Sequence, residues 1–239
     1  MINKGALVAD KLAYRRGEQE LLRIDALSIP HQGLGLVVGK NGAGKSLLLH
    51  LLAGRLAPSD GQLVYRDEVG LRSFQIDVAL RDLVRLLPDL WVGDASLTVA
   101  HHLEQLALVY HHFDKAKATT NVQHVIKQVR LSPLKDKPIK ELSFGEKKRL
   151  GVAGVLLGEP QFLFLDEPLT GLDGEQARKM RALLQGLGAK QAVVMSGHDL
   201  VQDCKLADYL LWVKERRVEY HLPSKEIFAQ LQQEMLADV

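Results

Sequence analysis

The sequence predicts an α/β fold built on a mostly parallel sheet, with an antiparallel β portion at its N-terminus and a helical segment inserted later. Three observations predict it. A glycine-rich loop, Gly39 to Ser46, lies between an apolar run and a leucine-rich helical stretch. Continuous apolar runs at Phe162-Leu163-Phe164-Leu165 and Ala192-Val193-Val194-Met195 look like strands buried on both faces of a parallel sheet. From about Leu97 to Gly158 the periodicity is helical instead. With 239 residues the chain can bury a full core.

Taken in order, the residues up to about Pro30 alternate apolar segments with turn signals. Ala6-Leu7-Val8-Ala9, Arg15-Arg16-Gly17 and Leu21-Leu22-Arg23-Ile24 suggest short antiparallel strands. Leu34 to Val38 reads as a buried strand and Leu47 to Leu52 as a buried helix. After the turn cluster Ala57 to Gly61, Gln62 to Tyr65 reads as another strand. Gly174 to Leu187 reads as a helix that joins the two apolar strands into a β-α-β unit. A surface helix is expected after Pro223. This divides one domain, 1–239, into an α/β core around the glycine-rich loop with the antiparallel β portion (1–85 and 159–222), a helical portion (86–158) and a C-terminal helix (223–239).

Each of three expected parallel strands ends in residues with chemistry to offer, and open α/β sheets place ligands at that edge. Gly39-Lys40-Asn41-Gly42-Ala43-Gly44-Lys45-Ser46 matches G-x-x-x-x-G-K-[ST] between a strand and a helix. Its glycines let successive N–H groups face phosphate oxygens, and the helix start adds its positive dipole end. Lys45 is placed to reach the β- and γ-phosphates and Ser46 to hold Mg²⁺. Asp166-Glu167 follows the second strand. Asp166 suits Mg²⁺, and Glu167 suits orienting or deprotonating the water that attacks the γ-phosphate. Ser196-Gly197-His198 follows the third.

Composition narrows the rest. Lys and Arg number 31 against 29 Asp and Glu, so charge gives no case for a nucleic-acid partner. Lys147-Lys148-Arg149 and Arg216-Arg217 read as solvated faces. Cys204 is the only cysteine, so no intrachain disulfide forms, which fits an intracellular protein. No run approaches the roughly 20 apolar residues of a membrane span, so any membrane role goes through a partner. Five of the nine histidines fall between His101 and His124. On one helix His101 and His112 would stand about 16 Å apart, so no metal site is expected there.

With the loop and Asp166-Glu167 in place, Leu142-Ser143-Phe144-Gly145-Glu146 makes the chain resemble an ATP-binding cassette (ABC) ATPase, from Tyr14 to about Leu222. The family's signature is usually L-S-G-G-Q, and it opens a helix that meets the γ-phosphate held by a second subunit. The resemblance implies ATP and Mg²⁺ as cofactors and a second ABC subunit, identical or not. Ser143 and Gly145 then complete the partner's site. His198 matches the family's switch histidine, which contacts the γ-phosphate, and Tyr14 falls where an aromatic often stacks on adenine. A half-buried strand tyrosine is the alternative for Tyr14. Thr170-Gly171-Leu172-Asp173 resembles the loop through which the two subunits communicate, with Asp173 near the nucleotide. Ser143-x-x-Glu146 is also a capping box, and the two roles are compatible.

The departures from the family pattern carry their own expectations. Phe144 replaces a glycine, and Glu146 replaces a glutamine and weakens ATP-driven dimerisation unless its charge is engaged. Leu47 stands where Thr is common, so a hydroxyl contact to the α-phosphate worth about 1 kcal/mol is absent. Asp89, before Leu97-Thr98-Val99, best matches the glutamine that senses Mg²⁺ and faces the membrane partner; Gln75 lies nearer the loop. An acid there adds a metal ligand but repels the γ-phosphate.

The resemblance implies an ATP-hydrolysing subunit that powers an ABC transporter through transmembrane permease subunits, peripheral at the cytoplasmic face. Two other readings stand beside it. One is a soluble ABC ATPase acting on the ribosome or nucleic acid; the segment between Lys45 and Ser143 lacks the heptads of DNA-maintenance relatives. The other is a regulatory module that binds ATP without hydrolysing it.

Overall fold

The computed structural model describes residues 5–89, 94–112, 114–197 and 199–236. The chain begins with a long hairpin, β1 (Ala6–Arg16) and β2 (Gln19–Ile29), turning at Gly17. Next come β3 (Gly33–Val38), α1 (Lys45–Leu52), β4 (Asp60–Arg66), β5 (Leu71–Ser73) and β6 (Val84–Leu87). The helical portion holds α2 (Val99–Tyr110), α3 (Lys115–Gln128) and α4 (Phe144–Leu156). The rest alternates: β7 (Phe162–Leu165), α5 (Gly174–Gly188), β8 (Ala192–Ser196), α6 (Leu200–Asp203), β9 (Tyr209–Lys214), β10 (Arg217–His221) and α7 (Lys225–Leu236).

Among the described residues the strands form one ten-stranded sheet, ordered β5-β4-β1-β2-β10-β9-β3-β8-β7-β6. From β9 to β6 every pairing is parallel. The hairpin half is antiparallel and joins it where β10 runs parallel to β2 at Arg217 and Arg23. The N-terminal strands are therefore long and continuous with the site's sheet, where the sequence suggested short ones. Polar residues interrupt the alternation along both strands, so only the apolar stretches Ala6 to Ala9 and Leu21 to Ile24 stand out, and the pairing itself carries a register shift at Tyr14/Arg15.

The parallel strands separate two cores with the two-residue period of a pleat. Leu34, Leu36 and Val38 of β3, with Leu163 and Leu165 of β7, face a core shared with α2 to α5. Val37, Phe162 and Phe164 face the other, against Leu48, Leu49, Leu51 and Leu52 of α1 and the hairpin. A strand covered on both sides has no polar face, which is why these runs are apolar throughout. β6 belongs to this sheet too, pairing Leu87 with Leu165, so the sheet continues two residues past the expected boundary at 85. No helix among the described residues is long and apolar enough to cross a membrane.

Candidate functional site

The loop after β3 is shaped by what crowds it. Gly39 has φ +149°, and a Cβ there would lie 2.5 Å from the Val213 carbonyl of β9. Only glycine lets the chain leave β3 so close to its neighbour. Beyond it, Asn41 and Gly42 are exposed, Gly42 with φ 77°, and the Ala43 N–H donates to the Lys40 carbonyl at 3.1 Å. Gly44 is the N-cap of α1 and has no side chain to satisfy the helix start. The caps of α2, α3, α4 and α5 are Thr98, Asp114, Ser143 and Asp173, each accepting an N–H of the first turn. The first turn of α1 thus keeps its N–H groups and its positive dipole end for an anion.

Lys45 is buried, and its ammonium donates to the carbonyls of Gly39 at 2.9 Å and Lys40 at 3.0 Å. Burial lowers its pKa, while Glu167 and Asp166 oppose the shift. Ser46 is exposed beside it. Leu47 packs against the core under α1, a setting that favours hydrocarbon over a hydroxyl. Tyr14, on β1 opposite Leu22, is half-buried against the same core. Leu22 itself lies 3.6 Å from where a Cβ on Gly44 would stand.

The acids leave the neighbouring strand under tight control. Asp166 is buried, and its N–H donates to the Leu87 carbonyl at 2.8 Å. The Ser196 hydroxyl donates to Asp166 Oδ1 at 2.7 Å and accepts from the Glu167 N–H at 2.8 Å. One β8 side chain thus fixes both acids. Glu167 has φ 49°, unusual for a residue with a Cβ and the kind of strain that collects at functional positions. Thr170 donates its hydroxyl to Glu167 Oε2 at 3.1 Å. The ends of β3, β7 and β8 bring Lys45, Asp166, Glu167 and Ser196 together; His198 lies outside the described residues.

The segment at α4 forms the expected capping box. The Ser143 N–H donates to Glu146 Oε2 at 2.8 Å, and the Glu146 N–H donates to Ser143 Oγ at 3.3 Å. The Glu146 charge is therefore engaged by its own helix start. Ser143 is exposed, whereas Gly145 is buried beneath the Gln176 side chain. The Phe144 ring lies 2.7 Å from where a Cβ on Gly171 would stand, and Gly171 has φ +79°, so the loop after Glu167 needs glycine twice over. Asp173 caps α5 through the Gln176 N–H at 2.8 Å.

Asp89, just past β6, is ion-paired with Lys148 at 3.1 Å. Gln75, the weaker match for the same role, accepts from the Ser73 hydroxyl after β5. Of the basic residues expected on solvated faces, Arg216 and Arg217 are exposed, with surface contacts to the Glu20 carbonyl and Asp25, and Arg149 donates to the Arg130 carbonyl. Lys148 departs from that expectation and is mostly covered. In the histidine-rich stretch, His111 Nε2 lies 3.0 Å from Asn121 Oδ1. Ser196 and Lys148 are the contributors that sequence reasoning missed. Ser196 was in view, as the residue two before His198, but had no role.

Comparisons with known proteins agree with the geometry. Residues 22–170 match the family model described as ABC transporter. The chain is 32% identical to the cobalt import ATP-binding protein CbiO of Rhodobacter capsulatus, over 89% of this chain and 76% of that one. It is 31% identical to ABC transporter A family member 1 of Dictyostelium discoideum over 74% of its length, spanning only 20% of that protein. Among solved structures, CbiO1 of Clostridium perfringens, part of the ABC transporter complex CbiONQ, superposes with a TM-score of 0.78 at 28% identity. That match covers 95% of this chain and 92% of the other. The chain belongs to the ABC transporter family and carries its ATP-binding fold.

Proposed function

We propose that this chain is the ATP-hydrolysing subunit of an ABC transporter, a dimer that closes around ATP and docks on transmembrane permease subunits. The observation that carries the reading is the convergence of Lys45, Asp166 and Glu167 on an α1 start left open by Gly44. Released from the carbonyls of Gly39 and Lys40, Lys45 stabilises phosphate charge together with the Gly42 to Ser46 amides. Tyr14 stacks on adenine. Ser46 and Asp166 are hard oxygen donors and suit Mg²⁺; Asp89 joins them only through the oxygen that Lys148 leaves. The ion, when bound, neutralises charge on the phosphates. Glu167, steadied by Thr170 and Ser196, takes the proton of the attacking water, and His198 helps position that water.

The second subunit contributes Ser143 and Gly145, and the loop at Asp173 links the two sites. Exposed Ser143 is ready for that contact, while Gly145 requires the Gln176 side chain to move. The likeness to CbiO1, part of a transporter complex, supports permease partners and a place at the cytoplasmic face of a membrane. Copurification from detergent-solubilised membranes tests the partner. A stoichiometric polytopic protein is expected; a ribosome or DNA instead would move the chain to the soluble ABC ATPases.

A further inference from the structure

The helix that opens on Ser143 also reaches back to the acids at the sheet edge. Lys148 of α4 places Nζ 3.1 Å from Asp89 Oδ1 and donates to the Glu167 carbonyl at 3.0 Å. Its side chain is 11% exposed against 56% for Asp89, so the lysine is set in the structure while the acid stays open to solvent on its other side. The Phe144 ring, one helical turn back, lies 5.7 Å from the same nitrogen. That ring in turn presses on Gly171. The register explains the meeting. Leu87 pairs with Leu165, so two residues further on Asp89 and Glu167 leave adjacent strands at the same level.

A lysine held by Asp89, the Glu167 carbonyl and the Phe144 ring of its own helix gives up rotamer freedom that a solvated one keeps. The charge arrangement says what the contact does. Without Lys148, Asp89 adds an unbalanced carboxylate beside Asp166 and Glu167, at the edge where phosphate charge is to be held. We propose that Lys148 is a positioning residue of the nucleotide site, neutralising Asp89 and fixing the main chain of Glu167. The acid that stands where the family has a glutamine is then tolerated because a cation from α4 travels with it. This inference rests on the ATP site proposed above.

The test compares wild type, Lys148→Met, Lys148→Gln, Lys148→Arg and the double variant Lys148→Met/Asp89→Asn, with Glu167→Gln as the hydrolysis control. Folding is followed by circular dichroism, ATP and ADP affinities by equilibrium binding in Mg²⁺, and turnover by phosphate release. Lys148→Met is expected to lose about fivefold more affinity for ATP than for ADP, because ATP carries more charge. Its turnover falls about tenfold through misplacement of Glu167. Adding Asp89→Asn restores the ATP-over-ADP preference but not full turnover, and Lys148→Arg keeps both.

A folded Lys148→Met with wild-type preference and turnover overturns the proposal, as does a double variant that restores no preference. If the methionine variant does not fold, Lys148→Gln gives the same affinity comparison, since it lacks the charge but keeps a donor. Failure of the underlying reading looks different. Wild type then hydrolyses ATP no faster than Glu167→Gln, while the affinity comparison still decides the role of Lys148.

Discussion

Glu146 shows how a single residue can be read twice. In the chain alone it is an acid in place of a glutamine, beside a phosphate to be met across a dimer. In the structure its carboxylate accepts the Ser143 N–H at 2.8 Å and closes the start of α4. A glutamine keeps that acceptor and removes the charge, so Glu146→Gln isolates the electrostatic effect. With that charge already engaged, the variant is expected to dimerise with ATP about as tightly as wild type, measured by light scattering on a nucleotide titration; clearly tighter dimers would show that the charge still acts on the phosphate. Residues with a fixed spacing, such as Gly39, Lys45, Ser46 and Asp166-Glu167, were legible because the loop and the acids each announce their chemistry within a few positions. Lys148 was not, since the run Lys147-Lys148-Arg149 looks like any solvated patch. Its partners Asp89 and Glu167 are distant in sequence and adjacent only through the β6–β7 pairing.

Elements follow the same logic. β3, β7, β8 and α5 were legible because two-sided burial makes apolar runs and one-sided burial makes helical periodicity. β9 escaped notice although Tyr209 to Val213 are all buried, and it supplies the carbonyl that forces Gly39 to be glycine. The junction of α5 and α6 carries a second device invisible in sequence. Arg181 donates to Asp203 at 2.7 Å and to Asp199 at 3.0 Å, with Asp203 nearly sealed from solvent. Burial raises the Asp203 pKa while Arg181 pulls it back. Removing the arginine strands a buried carboxylate, so Arg181→Met should lose about 3 kcal/mol in denaturant unfolding near neutral pH. A folded-state pKa raised above the ordinary 3.8 makes the native form hold its proton more tightly than the unfolded chain. The penalty is full above the folded-state pKa and fades as pH falls toward 3.8. A loss that does not shrink on acidification would point to packing rather than charge.

At the scale of the whole molecule, the sheet carries Lys45, Asp166, Glu167 and Ser196 to one edge, and the helical portion leaves Ser143 exposed. A chain built this way is proposed to hold ATP alone and to hydrolyse it only when a second copy, or a close relative, brings its own Ser143. The general layout was legible because a β-α-β pattern and a strand-loop-helix motif leave few topologies open. The joining of the N-terminal hairpin to the parallel strands through β10 was not, because its register link is a single residue pair, Arg217 and Arg23. ATP turnover by Glu167→Gln tests the central claim most directly. Loss of a general base costs about 10²- to 10⁴-fold in rate, so the variant should bind ATP, accumulate as a dimer and turn over at least about a hundredfold more slowly than wild type. Turnover near the wild-type rate in that variant would contradict the account.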